Sequence, residues 1–234
     1  MLIADFPKPK TRPAARRHTC NANYFDRLTH ESAYWLGFIM ADGSVSVRFR
    51  HGNPQFVFAL YSNDFAHLEW FKSCIGATHP VHRIHHKVHA IQILSYDLCL
   101  SLEQYGVVPS KSKVLQLPKL RSTLRPHMWR GLIDGDGSFN TYVRPSRAVK
   151  YNRRGRPAGT GYDVFQLSIV GSQNVCGGFQ ATFGGSVSKK AGVYQATVTG
   201  IKAKRAVKWM YEKPGPALAR KRQLAASLGI VRED

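Results

Sequence analysis

Two aspartates in a duplicated motif are the residues of this sequence best suited to chemistry. The motif occurs as WLGFIMADGS at 35–44 and as WRGLIDGDGS at 129–138, which places Asp42 and Asp136 at equivalent positions, 94 residues apart (136 − 42). Two carboxylates that converge repel each other unless a cation lies between them, and Mg²⁺ prefers oxygen ligands that substrate phosphate completes. The pair therefore predicts a magnesium site for phosphodiester hydrolysis, where metal ions stabilise the attacking and leaving oxygens.

Two simpler interpretations of the motif are weaker. A single copy would be a buried helix that ends in an Asp-Gly turn, but the same acid, glycine and serine in two copies favour a shared function. DGDGS also resembles the start of an EF-hand calcium loop. Counted from Asp134, however, the sixth and twelfth positions are Phe139 and Pro145, where that loop needs Gly and Glu.

Small residues four apart predict that each motif is a helix and that the two helices pack closely. Gly37 and Ala41 lie on one face of the first helix, and Gly131 and Gly135 lie on one face of the second. Glycine inside a helix costs about 0.5–1 kcal/mol relative to alanine. Close approach of the two backbones is the compensation that this pattern indicates.

The glycine after each aspartate predicts where the helices end. Gly43 and Gly137 suit the left-handed residue that stops a helix, so Asp42 and Asp136 are expected at the carbonyl ends. A negative charge is unfavourable there, because it faces the negative end of the helix dipole. Stability alone would not select aspartate at these positions, which favours a functional role.

The composition predicts a polyanionic partner. Lys and Arg outnumber Asp and Glu by 34 to 14, a formal charge of +20, and 43 % apolar residues suffice for a core. The charge is spread along the chain, whereas a membrane-surface protein usually carries one basic amphipathic helix. The four cysteines form no CxxC pair, and no apolar run approaches a membrane span or a signal-peptide core. We therefore expect an intracellular protein with reduced thiols.

The hydrophobic pattern predicts the same order of elements, α-β-β-α-β-β-α, in each half of the chain. A flexible basic arm is expected at 1–22, the halves at 23–117 and 126–234, and a linker at 118–125. A basic loop at 144–161 interrupts the first hairpin of the second half, and a last helix covers PALARKRQLAASLG. Counting along the halves matches Ser62-Asn63 with Ser172-Gln173. Lys111 and Lys221 then each lie 48 residues beyond the matched amide (111 − 63 and 221 − 173).

These residues resemble the LAGLIDADG homing endonucleases, in the single-chain form that carries both motifs. The resemblance extends from about Tyr24 to Leu228, where YGVVPSKSKVLQLP and LARKRQLA are similar to the family's two basic segments. It implies an α+β fold in which the motif helices form a pseudo-twofold interface. Two four-stranded antiparallel sheets then curve into a saddle over the DNA major groove, where each base pair presents a distinct pattern of donors and acceptors.

The resemblance also implies the roles of individual residues. Asp42 and Asp136 bind the metals at the scissile phosphates, and Met40 stands where the motif is more often acidic, as at Asp134. The other site residues are amides that organise solvent around the metals and lysines that stabilise charge near the cleaved phosphate: Asn63, Gln173, Lys221, and Lys111 or, in its place, Lys113.

Residues that alternate along the predicted hairpins, or lie in the basic loop, are candidates to contact bases or phosphates. These candidates are Arg48, Arg50, His82, His86, Arg153, Arg154, Lys189 and Lys190. Five histidines between His79 and His89 resemble a zinc tract, but a spacing of three sends successive strand side chains to opposite faces. DNA-facing or solvent-facing histidines are the better interpretation.

The expected function is site-specific double-strand cleavage of DNA at a long, partly degenerate site, leaving short 3′ overhangs. The enzyme is expected to be an intron-encoded monomer that requires Mg²⁺, with Mn²⁺ as a substitute and with Ca²⁺ bound but not supporting cleavage. The alternatives are a non-cleaving relative, either a maturase on host intron RNA or a DNA-binding regulator, and a basic RNA-associated protein without chemistry. Retention of Asp42 and Asp136 favours cleavage, because a pure binder gains nothing from acids beside phosphate.

Overall fold

A computed structural model describes residues 2–6, 8, 18–50, 53–144, 161–190 and 192–232. The first half comprises α1 (His30–Asp42), β1 (Gly43–Arg50), β2 (Asn53–Ser62), α2 (Phe65–Cys74), β3 (Val81–His85), β4 (Val88–Leu94) and α3 (Tyr96–Glu103). The second half comprises α4 (Arg125–Asp136), β5 (Gly137–Arg144), β6 (Tyr162–Gly171), α5 (Gln173–Phe183), β7 (Ser186–Lys190), β8 (Val193–Thr199), α6 (Gly200–Tyr211) and α7 (Ala219–Ser227). The predicted α+β class and the repeated α-β-β-α-β-β-α order are confirmed.

Each half contains one four-stranded antiparallel sheet. The strand orders are β1-β2-β4-β3 and β5-β6-β8-β7, so each sheet joins two hairpins through its central strands. Helices pack on one face of each sheet. Within β1 that face carries Val45, whereas Arg48 is exposed on the opposite face, as the two-residue period of a strand requires. Among the described residues, every helix is too short or too polar to cross a bilayer.

The two motif helices, α1 and α4, are buried almost all round because each packs on the sheet of its own half and on the other helix. Residues 32–40 of α1 and 126–134 of α4 are all buried. Thr29 starts α1 with a capping box: its hydroxyl accepts from the Ser32 N–H, and the Ser32 hydroxyl accepts from the Thr29 N–H. In α4, Pro126 lies in the first turn, where its missing N–H costs nothing.

The glycines that end the motif helices do not adopt the predicted left-handed conformation. Gly43 has φ −86° and Gly137 has φ −100°, both extended, so that prediction is wrong. A Cβ on either glycine would lie 2.7 or 2.6 Å from a side-chain carbon of Ile39 or Ile133, respectively. Glycine is required because the chain passes directly from helix into strand over that isoleucine.

The counted register between the halves is also wrong, by one residue. Gly43 pairs with Leu60 and Gly137 pairs with Ile169, so Asn63 corresponds to Ser172 in the strand ladder. The connection from strand to helix is longer in the first half, because β2 ends at Ser62 before the cap Asp64, whereas Ser172 caps α5 directly after β6.

The predicted flexible arm is packed at both of its ends. Ile3 is fully buried, and the N–H groups of Ile3 and Ala4 donate to the carboxylate of Glu103 at 2.5 and 3.0 Å. Near the other end, the Asn21 N–H donates to the Ile75 carbonyl at 2.8 Å. Residues 2–6 and 18–22 are therefore part of the first half. Residues 9–17 of the arm and 145–160 of the basic loop lie outside the described residues.

The predicted boundaries of the halves and linker stay predictions. Leu115 was predicted to belong to the first half but contacts the second. Its carbonyl accepts a hydrogen bond from the Ser172 hydroxyl at 2.7 Å. Leu117 lies so close to Gly178 in α5 that a Cβ there would be 2.3 Å from its Cδ1. The segment after α3 thus packs against the second half before α4 begins.

Candidate active site

The helix pair α1 and α4 brings two backbones into direct contact. A Cβ added to Gly37 or Gly131 would lie 2.0 or 2.1 Å from a backbone carbonyl oxygen of the opposite helix. One turn further on, a Cβ added to Gly135 would lie 2.3 Å from the Cβ of Ala41. No side chain fits at these glycines, so the small residues set how closely the helices approach.

The two predicted acids lie together at the carbonyl ends of this helix pair. A Cβ on Gly135 would be 3.2 Å from Oδ2 of Asp42, which places the Asp42 carboxylate directly against α4. Burial, followed by the negative charge of Asp136, raises the pKa of Asp42 to about 6. Asp136 reaches solvent, but the protein around it still raises the pKa of its carboxyl. The pair is thus coupled, and the fold disfavours its two charges.

This coupling makes stability depend on pH. The pKa of Asp42 is about 6 in the folded protein, and its ordinary value is 3.8. The free energy of unfolding that the protonated carboxyl contributes is therefore fully present below pH 3.8 and is lost as the pH rises through 6. Relative to an Asp42→Asn variant, the wild type should therefore lose about 1–3 kcal/mol of unfolding free energy between about pH 4 and pH 7, measured by urea denaturation in EDTA.

That comparison has an internal control. Burial lowers the pKa of His67 and of His127 to about 4 each, so both histidines destabilise the fold as the pH falls below 6.5. Their effect is common to the wild type and the Asn variant and cancels in the difference. Parallel stability profiles for the two proteins would contradict the assigned pKa of Asp42.

Lys221, on α7, caps the carbonyl end of α4. Its ammonium group donates to the carbonyl oxygens of Asp134 at 2.9 Å, of Gly137 at 2.7 Å, and of Ile133. Burial lowers the pKa of Lys221 to about 8, and its charge in turn lowers the pKa of Asp42 and Asp136. A buried cation thus stabilises the helix end and offsets the repulsion between the two acids.

Lys111 has the corresponding position at the end of α1. Its ammonium group donates to the Ala41 carbonyl at 3.3 Å, and its side chain is buried, which lowers its pKa. The alternative residue, Lys113, is exposed. Only Lys111 therefore has the buried, carbonyl-capping environment that Lys221 has.

The structure places each predicted amide in a cleft with the acid of its own half. A cleft of about 490 Å³ contains Asp136, Gln173 and Lys111 among its lining residues. A second cleft of about 290 Å³ contains Asp42 and Asn63. The amides are both exposed, so their hydrogen-bonding groups are open to solvent.

Two charged residues in the smaller cleft were not identified from the sequence. Arg220 pairs with Asp64 at 3.4 Å, and its charge lowers the pKa of Asp42. Asp64 directly precedes α2, as Ser172 directly precedes α5. The pairing of Arg220 with Asp64 joins residues 156 positions apart and leaves no local signal in the sequence.

A buried network around Asp134 was also missed. Asp134 is 1 % exposed and accepts hydrogen bonds from the Tyr34 hydroxyl at 2.8 Å, the Tyr211 hydroxyl at 2.5 Å and the Leu218 N–H at 2.7 Å. The Tyr34 hydroxyl, as donor to Asp134, accepts from Nε2 of His67 at 2.8 Å. Because Tyr34 and His67 belong to the first half, this network ties the halves together two residues before Asp136.

Replacing Tyr211 by Phe should destabilise the protein through this network. The change leaves Oδ1 of a fully buried carboxyl without its hydrogen bond, which costs about 1.5–3 kcal/mol of unfolding free energy, measured by urea denaturation. Tyr105→Phe is the matched control, since the Tyr105 hydroxyl donates to a neutral carbonyl, that of Phe25, and its loss should cost about 0.5–1.5 kcal/mol. Equal losses of unfolding free energy in the two variants would contradict a stronger hydrogen bond to the Asp134 carboxyl.

The DNA-contact candidates that the structure describes are all exposed: Arg48, His82, His86 and Lys189. Lys189 lines the larger cleft with Asp136, and its ammonium group lies 5.6 Å from the ring centre of Tyr194. The strands that contain Arg50 and Lys190 are described, but their side chains are not, and Arg153 and Arg154 lie outside the described residues.

The donor set fits a hard divalent cation. Asp42 and Asp136 offer carboxylate oxygens, and a cation between them would relieve the repulsion that, after burial, raises the pKa of Asp42. Within the described part of the chain, no cluster of three or more His, Cys, Asp or Glu residues forms a complete metal site. Magnesium sites in proteins commonly use one or two carboxylates and complete the coordination with water and substrate phosphate.

Comparison with protein-family models and with curated proteins gives no match. Solved structures do match. A lysine-to-alanine mutant of I-SmaMI has a TM-score of 0.64 at 15 % identity, over 87 % of this chain and 91 % of that chain. The LAGLIDADG meganuclease I-AabMI bound to uncleaved DNA has a TM-score of 0.62 at 15 % identity, over 86 % and 92 %. The I-SmaMI LAGLIDADG homing endonuclease bound to cleaved DNA has a TM-score of 0.58 at 16 % identity, over 85 % and 87 %.

Proposed function

We propose that this chain, which has the fold of the LAGLIDADG homing endonucleases, is itself such an enzyme. It would cut double-stranded DNA at a long specific site by divalent-metal-dependent phosphodiester hydrolysis, as a monomer, and leave short 3′ overhangs. The observation that carries the proposal is the convergence of Asp42 and Asp136 at the end of a glycine-lined helix pair, where a buried lysine caps the end of each helix. A protein that only bound DNA would gain nothing from carboxylates that repel phosphate.

The solved neighbours support DNA as the partner. I-AabMI is bound to uncleaved DNA, and I-SmaMI is bound in one structure to cleaved DNA and in another to an uncleaved DNA target in the presence of calcium ions. The charge of +20 on this chain supports the same class of partner, since phosphate neutralisation dominates the affinity of proteins for DNA.

The metal would be held by Asp42 and Asp136. When bound, Mg²⁺ or Mn²⁺ supplies an activated water and neutralises charge on the phosphate, whereas Ca²⁺ is expected to bind without supporting cleavage. The buried ammonium groups of Lys111 and Lys221 keep the acids ionised near neutral pH and add positive charge where the transition state gains negative charge. The exposed amides of Asn63 and Gln173 orient water in the two clefts.

The two strands of the substrate should be cut at different rates, because the two clefts differ in chemistry. Asn63, Asp64 and Arg220 line the smaller cleft, whereas Gln173 and Lys189 line the larger. Time courses on duplexes labelled on one strand or the other would measure the two rates separately, and supercoiled plasmid would accumulate as nicked circle before it is linearised. Equal rates for the strands would contradict this prediction.

Selection of cleaved duplexes from a random library tests the proposed function. The protein should release fragments of a shared sequence in Mg²⁺, and none in EDTA. Sequence-specific binding without cleavage in any divalent metal would instead favour a DNA-binding regulator or an RNA-splicing maturase. Binding without sequence preference would favour a basic structural or RNA-associated protein.

A further inference from the structure

The sheet faces that point away from the helices differ in chemistry between the two halves. In β1 and β5 the core face carries Val45 and Phe139, and the alternate residues lie on the opposite, open face. Because Gly43 starts β1 and Gly137 starts β5, the two sheets can be compared residue by residue from these glycines. Equivalent positions on the open faces then show where the halves carry different side chains.

On the open face of the first sheet, Arg48 lies directly opposite Gln55, on the neighbouring strand β2. The Arg48 side chain is exposed, and Gln55 is half-buried. The equivalent pair in the second sheet is Tyr142 and Val164, which have neither a guanidinium group nor an amide. A guanidinium group and an amide therefore lie side by side at this position in only one half of the molecule.

On the open face of the second sheet, two amides face each other at a position closer to the motif helices. Asn140 is exposed and lies directly opposite the half-buried Gln166. The equivalent pair in the first sheet is Ser46 and Val57. Asparagine is depleted in strands, so stability gives no reason for an amide at 140.

The four polar side chains of these two pairs are available to bind a ligand. Within the part of the chain that the structure describes, none of the four is hydrogen-bonded or ion-paired to another residue through its side chain. In the major groove of DNA, a guanidinium group makes two hydrogen bonds to O6 and N7 of guanine, and an Asn or Gln amide makes two to N6 and N7 of adenine. The two sheets thus offer different combinations of these groups.

We propose that the two side-chain pairs select different base sequences in the two halves of the DNA target. The inference rests on the proposed function, in which the open faces of the sheets lie in the major groove. Arg48 selects a guanine and Gln55 selects an adjoining adenine in the first half-site. Asn140 and Gln166 select adenines in the second.

Distance along the strands places the two pairs at different distances from the centre of the target. Arg48 is five residues beyond Gly43 (48 − 43), whereas Asn140 is three residues beyond Gly137 (140 − 137). The difference of two residues is about 6.8 Å of strand, which equals about two base pairs. Since both glycines directly follow the site acids, the guanine lies about two base pairs farther from the centre than the adenines do.

Selection of bound duplexes tests the inference without cleavage. Duplexes with a long randomised segment would be bound in EDTA, recovered and sequenced for the wild type and for each variant. Arg48→Gln should change the preferred base at one position from guanine to adenine, by about 5- to 150-fold in relative affinity. Arg205→Gln, on the exposed face of α6, is the charge-matched control and should change no base preference. Thermal unfolding would show that each variant keeps its fold.

Exchange of equivalent residues tests the second pair. Asn140→Ser combined with Gln166→Val introduces the side chains of the first sheet, and adenine preference should be lost on one side of the target only. Tyr142→Arg should add a guanine preference on that same side. The centre of the target lies midway between this guanine and the one that Arg48 selects, and the lost adenines should lie about two base pairs inside the new guanine.

Three results would overturn the inference. The first is uniform weakening by Arg48→Gln with every base preference retained, because Arg48 would then contact phosphate. The second is unchanged adenine preference in the variant that combines Asn140→Ser with Gln166→Val, and the third is a wild-type pool without sequence preference. Cleavage is measured separately. Failure to cut in Mg²⁺, with the expected base preferences present, would overturn only the proposed enzyme activity.

Discussion

Asp42→Asn and Asp136→Asn should each reduce double-strand cleavage by at least about 10³-fold, because each removes one of the two carboxylates that are proposed to hold the metal. The amide is nearly isosteric with the carboxylate, so the helix pair and the two sheets should be unchanged. Affinity for the selected duplex in Ca²⁺ or EDTA should stay the same or increase, since a negative charge beside phosphate is removed. Cleavage of labelled duplex in Mg²⁺ and anisotropy binding measure the two effects.

The same variants should be more stable than the wild type above pH 6. Burial and mutual repulsion raise the pKa of Asp42 to about 6, so its neutral replacement relieves an unfavourable charge. Asp97→Asn is a suitable control, because Asp97 lies in an exposed pair with Lys8, at 2.8 Å, far along the chain from the motif helices. Full cleavage by Asp42→Asn or Asp136→Asn, or loss of cleavage through unfolding, would contradict the assignment.

Gly37→Ala and Gly131→Ala should each lower the free energy of unfolding by at least about 3 kcal/mol. The added Cβ would lie 2.0 Å from the Met128 carbonyl oxygen in the first variant and 2.1 Å from the Tyr34 carbonyl oxygen in the second. These contacts are with backbone, so the helices themselves must separate. Urea denaturation measures the loss, and cleavage should fall with it because the aspartates are carried by the same two helices.

Gly177→Ala provides a matched control for these substitutions. Gly177 also lies inside a helix, α5, but a Cβ there would meet no atom within 4 Å. The substitution should raise the free energy of unfolding by about 0.5–1 kcal/mol, because alanine favours helix over glycine. If all three substitutions changed stability by similar amounts, close packing would not be the reason for the motif glycines.

Local physics explains why the motif helices and the site acids could be predicted. Small residues at a spacing of four lie on one helix face whatever the rest of the chain does, and a duplicated motif implies a duplicated environment. Alternating apolar residues likewise predicted both hairpins of each half. The two aspartates were noticed because a negative charge is unfavourable at the carbonyl end of a helix. Their presence there indicated a role other than stabilising the helix.

Errors arose wherever a position depends on contacts that are distant in sequence. Counting matched Asn63 with Gln173 because it assumed equal connections, whereas the strand pairs Gly43–Leu60 and Gly137–Ile169 shift the match by one residue. Gly43 and Gly137 were predicted to be left-handed because that is the commonest conformation of glycine at the end of a helix. Packing over Ile39 and Ile133, which depends on the direction of the following strand, is the actual reason.

The sequence by itself determined the duplicated architecture, the contact between the motif helices and the identity of the two acids, because each is encoded in residue types at fixed short spacing. Only the tertiary structure decided the partners of Asp134, which lie 77 to 100 residues away, and the pairing of Arg220 with Asp64. Burial by both halves at once creates those contacts and the shifted pKa of Asp42. Such burial depends on the whole folded chain, and no local pattern records it.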